Sequence, residues 1–220
     1  MKFRSDMKVE LVDSMGGDGR VVQAARTSTL GAAASEEKES AGLINFLVRE
    51  VHQVPLEHSV FTFRIEAPIF VTRQILKHRI TSISEESGRY REMAGEFYIP
   101  DPNRPLSQTG KTGDYNMVQF DDLEDVEYAL GEMQYACRVA WETYTKLLNE
   151  GVAKEVARMV LPVNLYSSMY LTINARSLMN FLSLRNEHHA QWETREVAKQ
   201  MDDIFAEKMP LTFAAWKSNA

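Results

Sequence analysis

The sequence predicts a mixed α/β fold, arranged as a single domain over residues 1–220 with a small central sheet and long flanking helices. Two short segments, 60–66 and 165–173, alternate apolar and polar side chains, which is typical of half-buried strands. Residues 121–150 repeat apolar side chains in steps of three and four, which is typical of an amphipathic helix. Because both periods occur without an interior linker, we expect the strands and helices to share one core.

The first predicted helix covers residues 36–52. Ser35 is its predicted N-cap, and Glu36 and Glu37 suit the positive end of a helix dipole. Its apolar stripe consists of Leu43, Ile44, Leu47 and Val51.

The segment VFTFRIE, residues 60–66, is predicted to be a strand. Phe61, Phe63 and Ile65 point to one face, and the polar residues between them point to the other. A helix is predicted to follow over residues 68–80, because its first residue is a proline, which the first turn of a helix tolerates.

Residues 95–116 predict a long loop. The residues that interrupt both periodic patterns there are Pro100, Pro102, Pro105, Gly110 and Gly113. A loop of this length inside one domain is often functional or partly disordered, and the sequence leaves both readings open.

The longest predicted helix covers residues 121–150. Asp121 and Asp122 lie at its start, and Gly151 follows its end. Its apolar stripe consists of Leu123, Val126, Leu130, Met133, Cys137, Ala140, Tyr144 and Leu147.

The last part of the chain predicts a strand and two helices. The strand covers residues 165–173, and Asn174 is the predicted N-cap of a helix with the sequence ARSLMNFLSLR. The final predicted helix covers residues 190–208 and ends before Pro210.

The composition restricts the class of protein. The formal net charge is −6, which argues against a general nucleic-acid or membrane-surface binder. Cys137 is the only cysteine, so the chain has no intramolecular disulfide and no four-cysteine zinc site. The N-terminal residues lack the apolar core of a signal peptide, and no run of eighteen apolar residues is present, so we expect a soluble protein of a reducing cytoplasm.

A basic cluster stands out in this acidic chain. His78 and Arg79 fall at the end of the predicted helix over 68–80, where the helix dipole favours cations. A small anionic ligand would explain the cluster, and a solvated surface stretch is the alternative. Its members are Lys77, His78, Arg79, Arg89 and Arg91.

Ser87, Gly88 and Arg89 form a predicted phosphate cradle. Serine and glycine allow close approach of the backbone to a ligand, and an arginine can hold a phosphate through two parallel hydrogen bonds. Glu85 and Glu86 would repel an anion, so they either point elsewhere or accept hydrogen bonds from ligand hydroxyls.

A second polar cluster lies on the helix after Asn174. Arg176, Asn180 and Leu184 are spaced four residues apart and therefore share one helix face. This face either meets a polar partner or is solvated. Arg185 lies about 100° around the helix from Leu184, toward another surface.

His52, Glu57 and His58 form a third cluster, which resembles a metal site only superficially. Their spacing matches no zinc signature, and no third histidine or cysteine ligand is evident. His188 and His189 are adjacent and would point differently on a helix. We therefore expect no metal.

Two further residues have simple interpretations. Arg158 lies in a short helix that Pro162 ends, and by itself it indicates a surface charge. Cys137 lies within the apolar stripe of the longest helix, which indicates a buried and unreactive thiol.

Together these segments resemble the flavin-dependent thymidylate synthases. The family signature is Arg-His-Arg, seven residues and a serine, and here KHR is followed by ITSISEE and Ser87. The similarity extends from AARTS at residues 24–28 to MPLTF near the end, and it is weaker around residues 100–116. Other similar segments, in family order, are LEHSVFTFRIEAPIFVTRQILKHR, EVARMVLPVNLY and NARSLMNFLSLRNEHHAQWE.

The chain departs from the family signature at two positions. Lys77 stands where the family has arginine, which keeps the charge but loses the planar fork. Ser84 stands where asparagine is expected, and its hydroxyl can replace only part of an amide's hydrogen bonds.

The resemblance implies a fold, an assembly and a reaction. The family fold is a mixed α/β domain assembled as a homotetramer, with active sites built from several subunits. The implied reaction makes dTMP from dUMP, with methylenetetrahydrofolate as the one-carbon donor and FAD, reduced by NADPH, as the source of reducing equivalents.

The resemblance also implies the site residues. It assigns Arg185 to ionisation of the pyrimidine near nitrogen 3, Ser87 to binding rather than nucleophilic attack, and His52 and Tyr90 to stacking. The dUMP-binding residues are Gln74, Lys77, Glu85, Glu86, Ser87, Gly88, Arg89, Arg158 and Arg185. The FAD-binding residues are His52, Glu57, Lys77, His78, Arg79, Asn174, Arg176 and Asn180.

The single cysteine bears on the mechanism. The other class of thymidylate synthase adds an activated thiolate to carbon 6 of the pyrimidine, which a buried Cys137 would not provide. Fixed positive charge beside the ring is then the expected way to make carbon 5 nucleophilic.

Two alternative functions stay open beside thymidylate synthesis. The first is a flavin-dependent NAD(P)H oxidoreductase that lacks methyl transfer, for which Lys77 and the altered loop leave room. The second is a module that binds single-stranded nucleic acid through Tyr90, Phe97, Tyr98 and the basic cluster.

Overall fold

The computed structural model describes residues 1–36, 40–111 and 114–219. The strands are β1 (Lys2–Arg4), β2 (Lys8–Met15), β3 (Val60–Pro68), β4 (Ser82–Glu85), β5 (Glu96–Tyr98), β6 (Ser107–Lys111), β7 (Asp114–Val118) and β8 (Tyr166–Asn174). The helices are α1 (Asp18–Leu30), α2 (Ala41–Arg49), α3 (Ile69–Ile75), α4 (Leu123–Asn149), α5 (Lys154–Ala157), α6 (Ala175–Arg185), α7 (Trp192–Lys208) and α8 (Pro210–Asn219). Short 3₁₀ segments cover Gly31–Glu36, Val54–His58 and Arg158–Val160. These elements confirm the mixed α/β class.

The chain forms two compact units whose segments alternate along the sequence. The first unit contains Met1–Asp6, Pro68–Phe70 and Glu86–Ser167. The second unit contains Met7–Ala67, Val71–Glu85 and Ser168–Ala220. The single-domain organisation stays a prediction.

A four-stranded sheet in the order β2-β3-β8-β4 is the centre of the second unit. The pairs β2–β3 and β4–β8 are antiparallel, and the register of the first pair shifts between Leu11 and Asp13. Phe61, Phe63 and Ile65 are fully buried on one face of β3, which confirms the alternation predicted for residues 60–66.

The first unit is built on the 27-residue helix α4. Asp122 is its N-cap and accepts from the backbone N–H of Glu124 over 2.9 Å, and Gly151 follows its end with φ of +82°. Both ends agree with the prediction. The buried side chains of this core are Met93, Phe97, Ile99, Val126, Leu130, Cys137, Tyr144, Ala157 and Leu165.

The stripe predicted for α4 is only partly buried. Leu123 and Met133 are exposed, at 77% and 44% of their surface, although they fit the apolar period. Leu123 is the first residue of the helix, where few neighbours can cover it.

The loop predicted for residues 95–116 is wrong, because three strands fall within it. β5 pairs in parallel with β1, so its partner lies more than ninety residues away in sequence. β6 and β7 form an antiparallel hairpin in which Ser107 pairs with Val118. Backbone pairing therefore outweighs the proline and glycine signals. The prediction for Gly113 falls outside the described residues.

The predicted start of the helix over 36–52 is also wrong. The helix begins at Ala41, where the Ser40 side chain accepts from the backbone N–H of Leu43. Ser35 belongs instead to a 3₁₀ segment, and Glu37 lies outside the described residues. Val51 lies beyond the helix end, is 68% exposed and has φ of +58°.

Prolines account for two further corrections. Pro68 is the last residue of β3, and α3 ends at Ile75, so His78 and Arg79 lie beyond the helix rather than at its end. The helix predicted over 190–208 is confirmed as α7, which ends at Lys208 before Pro210, but it is not the final helix, because Pro210 begins α8. The sequence also gave no indication of β1, β2 and α1. No helix in the described parts of the chain is long and apolar enough to cross a membrane.

Candidate active site

A cavity of about 800 Å³ lies in the second unit. Its walls come from the end of α2, the segment after α3, the length of α6 and the end of α8. The volume lies within the range of about 300–1,000 Å³ that is typical of cofactor sites.

The charged side chains that line this cavity are all basic among the described residues. They are Arg49, Lys77, Arg79, Arg176 and Arg185, and the neutral imidazole of His78 lies among them. Such a lining favours a diphosphate or another group with several negative charges. The sequence missed Arg49, as well as Trp216 and Asn219 of α8, because α8 was itself not predicted.

Helix α6 presents one polar face to the cavity. Asn174 is its N-cap, with Oδ1 accepting from the backbone N–H of Ser177 over 2.8 Å, as predicted. Arg176, Asn180 and Leu184 all line the cavity, which confirms their shared face. All three side chains are exposed, so the face lines a concave surface and is also solvated, and the structure does not decide between the two alternatives.

Arg185 also lines the cavity, so the prediction that it faces another surface is wrong. It is the last residue of α6, and its Nε donates to Nε2 of His78 over 3.0 Å. The ring of His78 packs edge to face against Phe181, with centroids 4.8 Å apart. Burial, followed by the positive charge of Arg185, lowers the pKa of His78 below its ordinary value of 6.5.

Two predicted FAD-binding residues bond to each other. Nη1 of Arg176 forms an ion pair with Glu57, and its Nε donates to Oε1 of Gln53 over 3.1 Å. His52 is exposed, and its ring lies edge to face against Phe46 at 5.8 Å. Gln53 and Arg176 line the cavity, whereas His52 and Glu57 are not among its lining residues.

The segment around the end of α3 contributes three more predicted residues. Lys77 and Arg79 follow Ile75 and line the cavity. Gln74 lies in α3, and its side-chain amide donates to the side chain of Gln191, which precedes α7.

Glu85 and Glu86 each have a partner within their own unit. Oε1 of Glu85 accepts from the hydroxyl of Thr72 over 3.2 Å. Glu86 forms an ion pair with Arg91 at 3.2 Å. Neither carboxylate is among the lining residues of the cavity.

The predicted phosphate cradle forms a turn in the first unit. Oγ of Ser87 accepts from the backbone N–H of Arg89 over 3.3 Å. Gly88 is buried, and a Cβ at this position would lie 3.2 Å from Cδ of Arg158, so Arg158 packs against the turn. Nε of Arg89 donates to Oε2 of Glu155 over 3.1 Å. Two arginines, Arg89 and Arg158, therefore lie at the turn where Gly88 leaves the backbone accessible. The carboxylate of Glu155 holds Arg89.

Cys137 is buried in the core of the first unit, with 2% of its surface exposed. Nδ2 of Asn164 donates to its sulfur over 3.1 Å. Burial raises the pKa of the thiol above its ordinary value. The prediction of a buried and unactivated cysteine is confirmed.

The adjacent histidines differ from the expectation. His188 and His189 do not lie on a helix, and their ring centroids are 3.7 Å apart. Together with Glu187 they bring three possible metal-binding atoms within 4.8 Å of one another. Both histidines are exposed, and exposed groups of this kind are common without a metal.

The basic cavity and the Ser87–Arg89 turn have the chemistry that suits anionic ligands. The family of the protein is shown by sequence. The chain belongs to the thymidylate synthase complementing protein family, whose model matches residues 10–211.

Relatives named flavin-dependent thymidylate synthase match nearly the whole chain. It is 46% identical to the flavin-dependent thymidylate synthase of Streptomyces avermitilis, over 99% of this chain and 93% of that protein. It is 47% identical to the flavin-dependent thymidylate synthase of Thermotoga neapolitana, over 94% of this chain and 89% of that protein. The fold matches that of the UMP/dUMP methylase PolB of Streptomyces cacaoi bound with 5-Br dUMP, with a TM-score of 0.91, 44% identity and coverage of 99% and 97%.

Proposed function

We infer that this chain is an enzyme that converts dUMP to dTMP, with methylenetetrahydrofolate as the one-carbon donor and FAD as the redox cofactor. Family membership and relatives named flavin-dependent thymidylate synthase support this function. The PolB structure with 5-Br dUMP supports dUMP as the substrate. NADPH as the reductant is a further part of the proposal.

The observation that carries the proposal is the basic cavity beside α6. Bound there, FAD would supply the reducing equivalents for the one-carbon unit. Lys77, Arg79 and Arg176 offer three cations to its diphosphate. Asn180 offers an amide on the same helix face, and the volume suits a cofactor.

The dUMP phosphate is assigned to the turn that contains Ser87, Gly88 and Arg89. Glycine permits close approach of the backbone, and a phosphate would replace Glu155 at the Arg89 guanidinium. Arg158, packed against Gly88, adds a second positive charge. The carboxylates Glu85 and Glu86 are assigned to ligand hydroxyls rather than to the phosphate.

Arg185 is assigned to the uracil ring. A guanidinium stays protonated at any physiological pH, so it acts as a fixed positive charge and not as a general base. Placed near nitrogen 3, it would stabilise negative charge in the ring and increase the nucleophilicity of carbon 5. No activated thiolate is then required, which agrees with the burial of Cys137.

A homotetramer with shared active sites is the proposed assembly. The outward face of α4 exposes Tyr128, Tyr135 and Val139 at 71%, 63% and 45%. Their spacing of seven and four residues places them on one stripe of the helix. An exposed apolar stripe of this kind suits a contact between subunits.

The proposed reaction is tested by release of tritium from carbon 5 of labelled dUMP. FAD, NADPH and methylenetetrahydrofolate are supplied together and then omitted one at a time. We expect release that depends on the reductant and the folate, with dTMP formed. Steady NADPH oxidation without release would instead indicate an oxidoreductase that lacks methyl transfer.

Two variants test the assignments within this reaction. Cys137→Ala should retain methylation, and its complete loss in a folded, flavin-binding variant would refute the thiolate-free mechanism. Arg185→Ala should lose methylation and still bind FAD. Arg26→Ala, an exposed residue of α1, is the control for loss of an arginine.

A further inference from the structure

The contact between Arg185 and His78 restricts the state of the imidazole. An arginine nitrogen can only donate, so Nε2 of His78 must accept the hydrogen bond of 3.0 Å. Nε2 therefore carries no proton, and the single ring proton lies on Nδ1. The contact exists only while His78 is neutral.

The orientation of the ring is fixed from two sides. Phe181 is fully buried and packs edge to face against the ring, at an interplanar angle of 69°. Phe181 and Arg185 lie one turn apart on α6, so His78 spans that turn. The backbone carbonyl of His78 accepts from the hydroxyl of Thr81 over 2.7 Å, which holds the start of the side chain.

The hydrogen bond uses the inner nitrogen of the guanidinium. Among the described residues no side chain bonds to either Nη of Arg185, so the planar fork is available to a ligand. His78 therefore sets the direction of Arg185 without occupying the part of it that can bind an anionic ring.

Arg185 opposes protonation of His78, and the other described charged side chains that line the cavity are also basic. The segment of His78 contributes Lys77 and Arg79, α6 contributes Arg176 and Arg185, and α2 contributes Arg49. No aspartate or glutamate lines this cavity in the described part of the chain. Geometry and charge thus both favour the neutral ring.

We propose that neutral His78 is a positioning residue that holds the Arg185 guanidinium for methylation of dUMP, and that protonation of His78 releases Arg185 and stops turnover at acid pH. This inference rests on the proposed function. A protonated ring would donate at both nitrogens and repel the guanidinium.

The first test compares two substitutions of His78. In His78→Gln the amide oxygen reaches the position of Nε2 and accepts without titrating, whereas His78→Leu fills the space without an acceptor. We expect His78→Leu to lower kcat about tenfold or more, because the hydrogen bond that orients the charge of Arg185 is lost. A tenfold decrease in kcat corresponds to a barrier higher by about 1.4 kcal/mol. His78→Gln should recover most of that loss, and its kcat should no longer fall on the acid side.

The KM for dUMP separates positioning from a structural role. Positioning predicts a change in kcat with little change in the KM for dUMP. Because His78 lines the cavity assigned to FAD, kcat is compared at saturating FAD and the flavin content of each variant is measured. Equal kcat in the two variants, or an unchanged acid limb in His78→Gln, would overturn the proposal. His58→Gln, which replaces an exposed histidine outside the cavity, controls for the substitution.

The second test needs no turnover. Nitrogen-15 NMR of the flavin-free protein near pH 7 should show His78 with its proton on Nδ1, and Arg185→Leu should raise the pH at which it titrates. A proton on Nε2 would contradict the inference. If the wild type makes no dTMP while this tautomer is observed, the proposed function fails and the His78–Arg185 contact stands. If the wild type is active and the tautomer is wrong, the positioning role alone fails.

Discussion

Several side chains that we assign to ligand binding bond to other protein groups. The pairs are Arg89 with Glu155, Arg176 with Glu57, Gln74 with Gln191, and Arg185 with His78. The first pair is a half-exposed ion pair, which contributes little and is easily exchanged. The last pair leaves the ligand-binding end of its arginine available. We therefore expect a ligand to displace Glu155 from Arg89, and to bind Arg185 while its contact with His78 is kept.

The Arg89–Glu155 pair gives a prediction about dUMP affinity. Glu155→Gln removes the charge that competes with the phosphate for Arg89, so the Kd for dUMP should fall by about two- to fivefold at low salt. Equilibrium titration with dUMP measures it. Glu127→Gln, an exposed glutamate of α4, should leave the Kd near that of the wild type. A higher Kd in Glu155→Gln would show that Glu155 supports the site rather than competes.

The pKa of His78 gives a prediction about pH and stability. Well above pH 6.5, His78 is neutral in both the folded and the unfolded chain. As the pH falls through that value, the unfolded chain binds the proton first, because burial and Arg185 lower the folded pKa. The free energy of unfolding should therefore decrease toward acid pH, until the folded pKa is passed.

Urea unfolding at several values between about pH 5 and about pH 8 measures this decrease. His78→Gln should show a shallower dependence than the wild type, and His58→Gln controls for loss of a histidine. A His78→Gln curve parallel to that of the wild type would mean that His78 does not contribute.

At the scale of the element, the start of α2 depends on which serine is the N-cap, Ser40 in the structure or Ser35 in the sequence prediction. Ser40→Ala should destabilise the protein by about 1 kcal/mol, because the hydroxyl of Ser40 caps the helix. Ser35→Ala should have a smaller effect, since its hydroxyl donates to the carbonyl of Ala32 in an exposed 3₁₀ segment. Chemical denaturation of the two variants checks the difference. A larger loss for Ser35→Ala would favour the helix start predicted from the sequence.

Elements with a clear local period were predictable. The alternation around Phe61 and Phe63 gave β3, and the spacing from Val126 to Tyr144 gave α4. Pro210 is ambiguous by itself, since a proline suits the position after one helix and the start of the next.

Strand pairing was less predictable than helix formation. β1 is only three residues long and pairs with β5, which lies more than ninety residues later in the sequence. Such a pairing leaves no local period in the sequence, so residues 96–98 were assigned to a loop.

The candidate site shows the same division between local and distant information. Arg176 and Asn180 were placed together by helix geometry alone. The contacts of Arg89 with Glu155 and of Arg185 with His78 join residues 66 and 107 positions apart. No spacing rule links such residues. The resemblance assigned Arg89, Arg185 and His78 to ligand binding, and nothing in the sequence indicated Glu155.

At the scale of the whole molecule, Asp18 joins the two ends of the second unit. It is buried, and its carboxylate accepts from the backbone N–H groups of Leu211 and Thr212 over 2.8 and 2.9 Å. The hydroxyl of Thr212 donates to it over 2.6 Å. One carboxylate at the start of α1 therefore caps the first turn of α8.

Asp18→Asn should destabilise the protein by about 2 kcal/mol, because hydrogen bonds to a charged acceptor are lost and the new amide meets backbone donors. Thermal unfolding followed by circular dichroism measures the loss. Asp203→Asn, an exposed residue of α7, should unfold near the wild-type temperature. Equal unfolding temperatures for the two variants would show that the Asp18 contacts are energetically minor.

The Asp18 contacts also have a consequence for the order of events during synthesis. The ribosome makes α1 early, but the partners of Asp18 are 193 and 194 residues further along the chain. Until those residues leave the exit tunnel, the carboxylate has no native partner, although α1 can already contact α2 and the first two 3₁₀ segments. The second unit is therefore expected to complete its folding only after α8 has been made, and the nascent chain would need protection from aggregation until then.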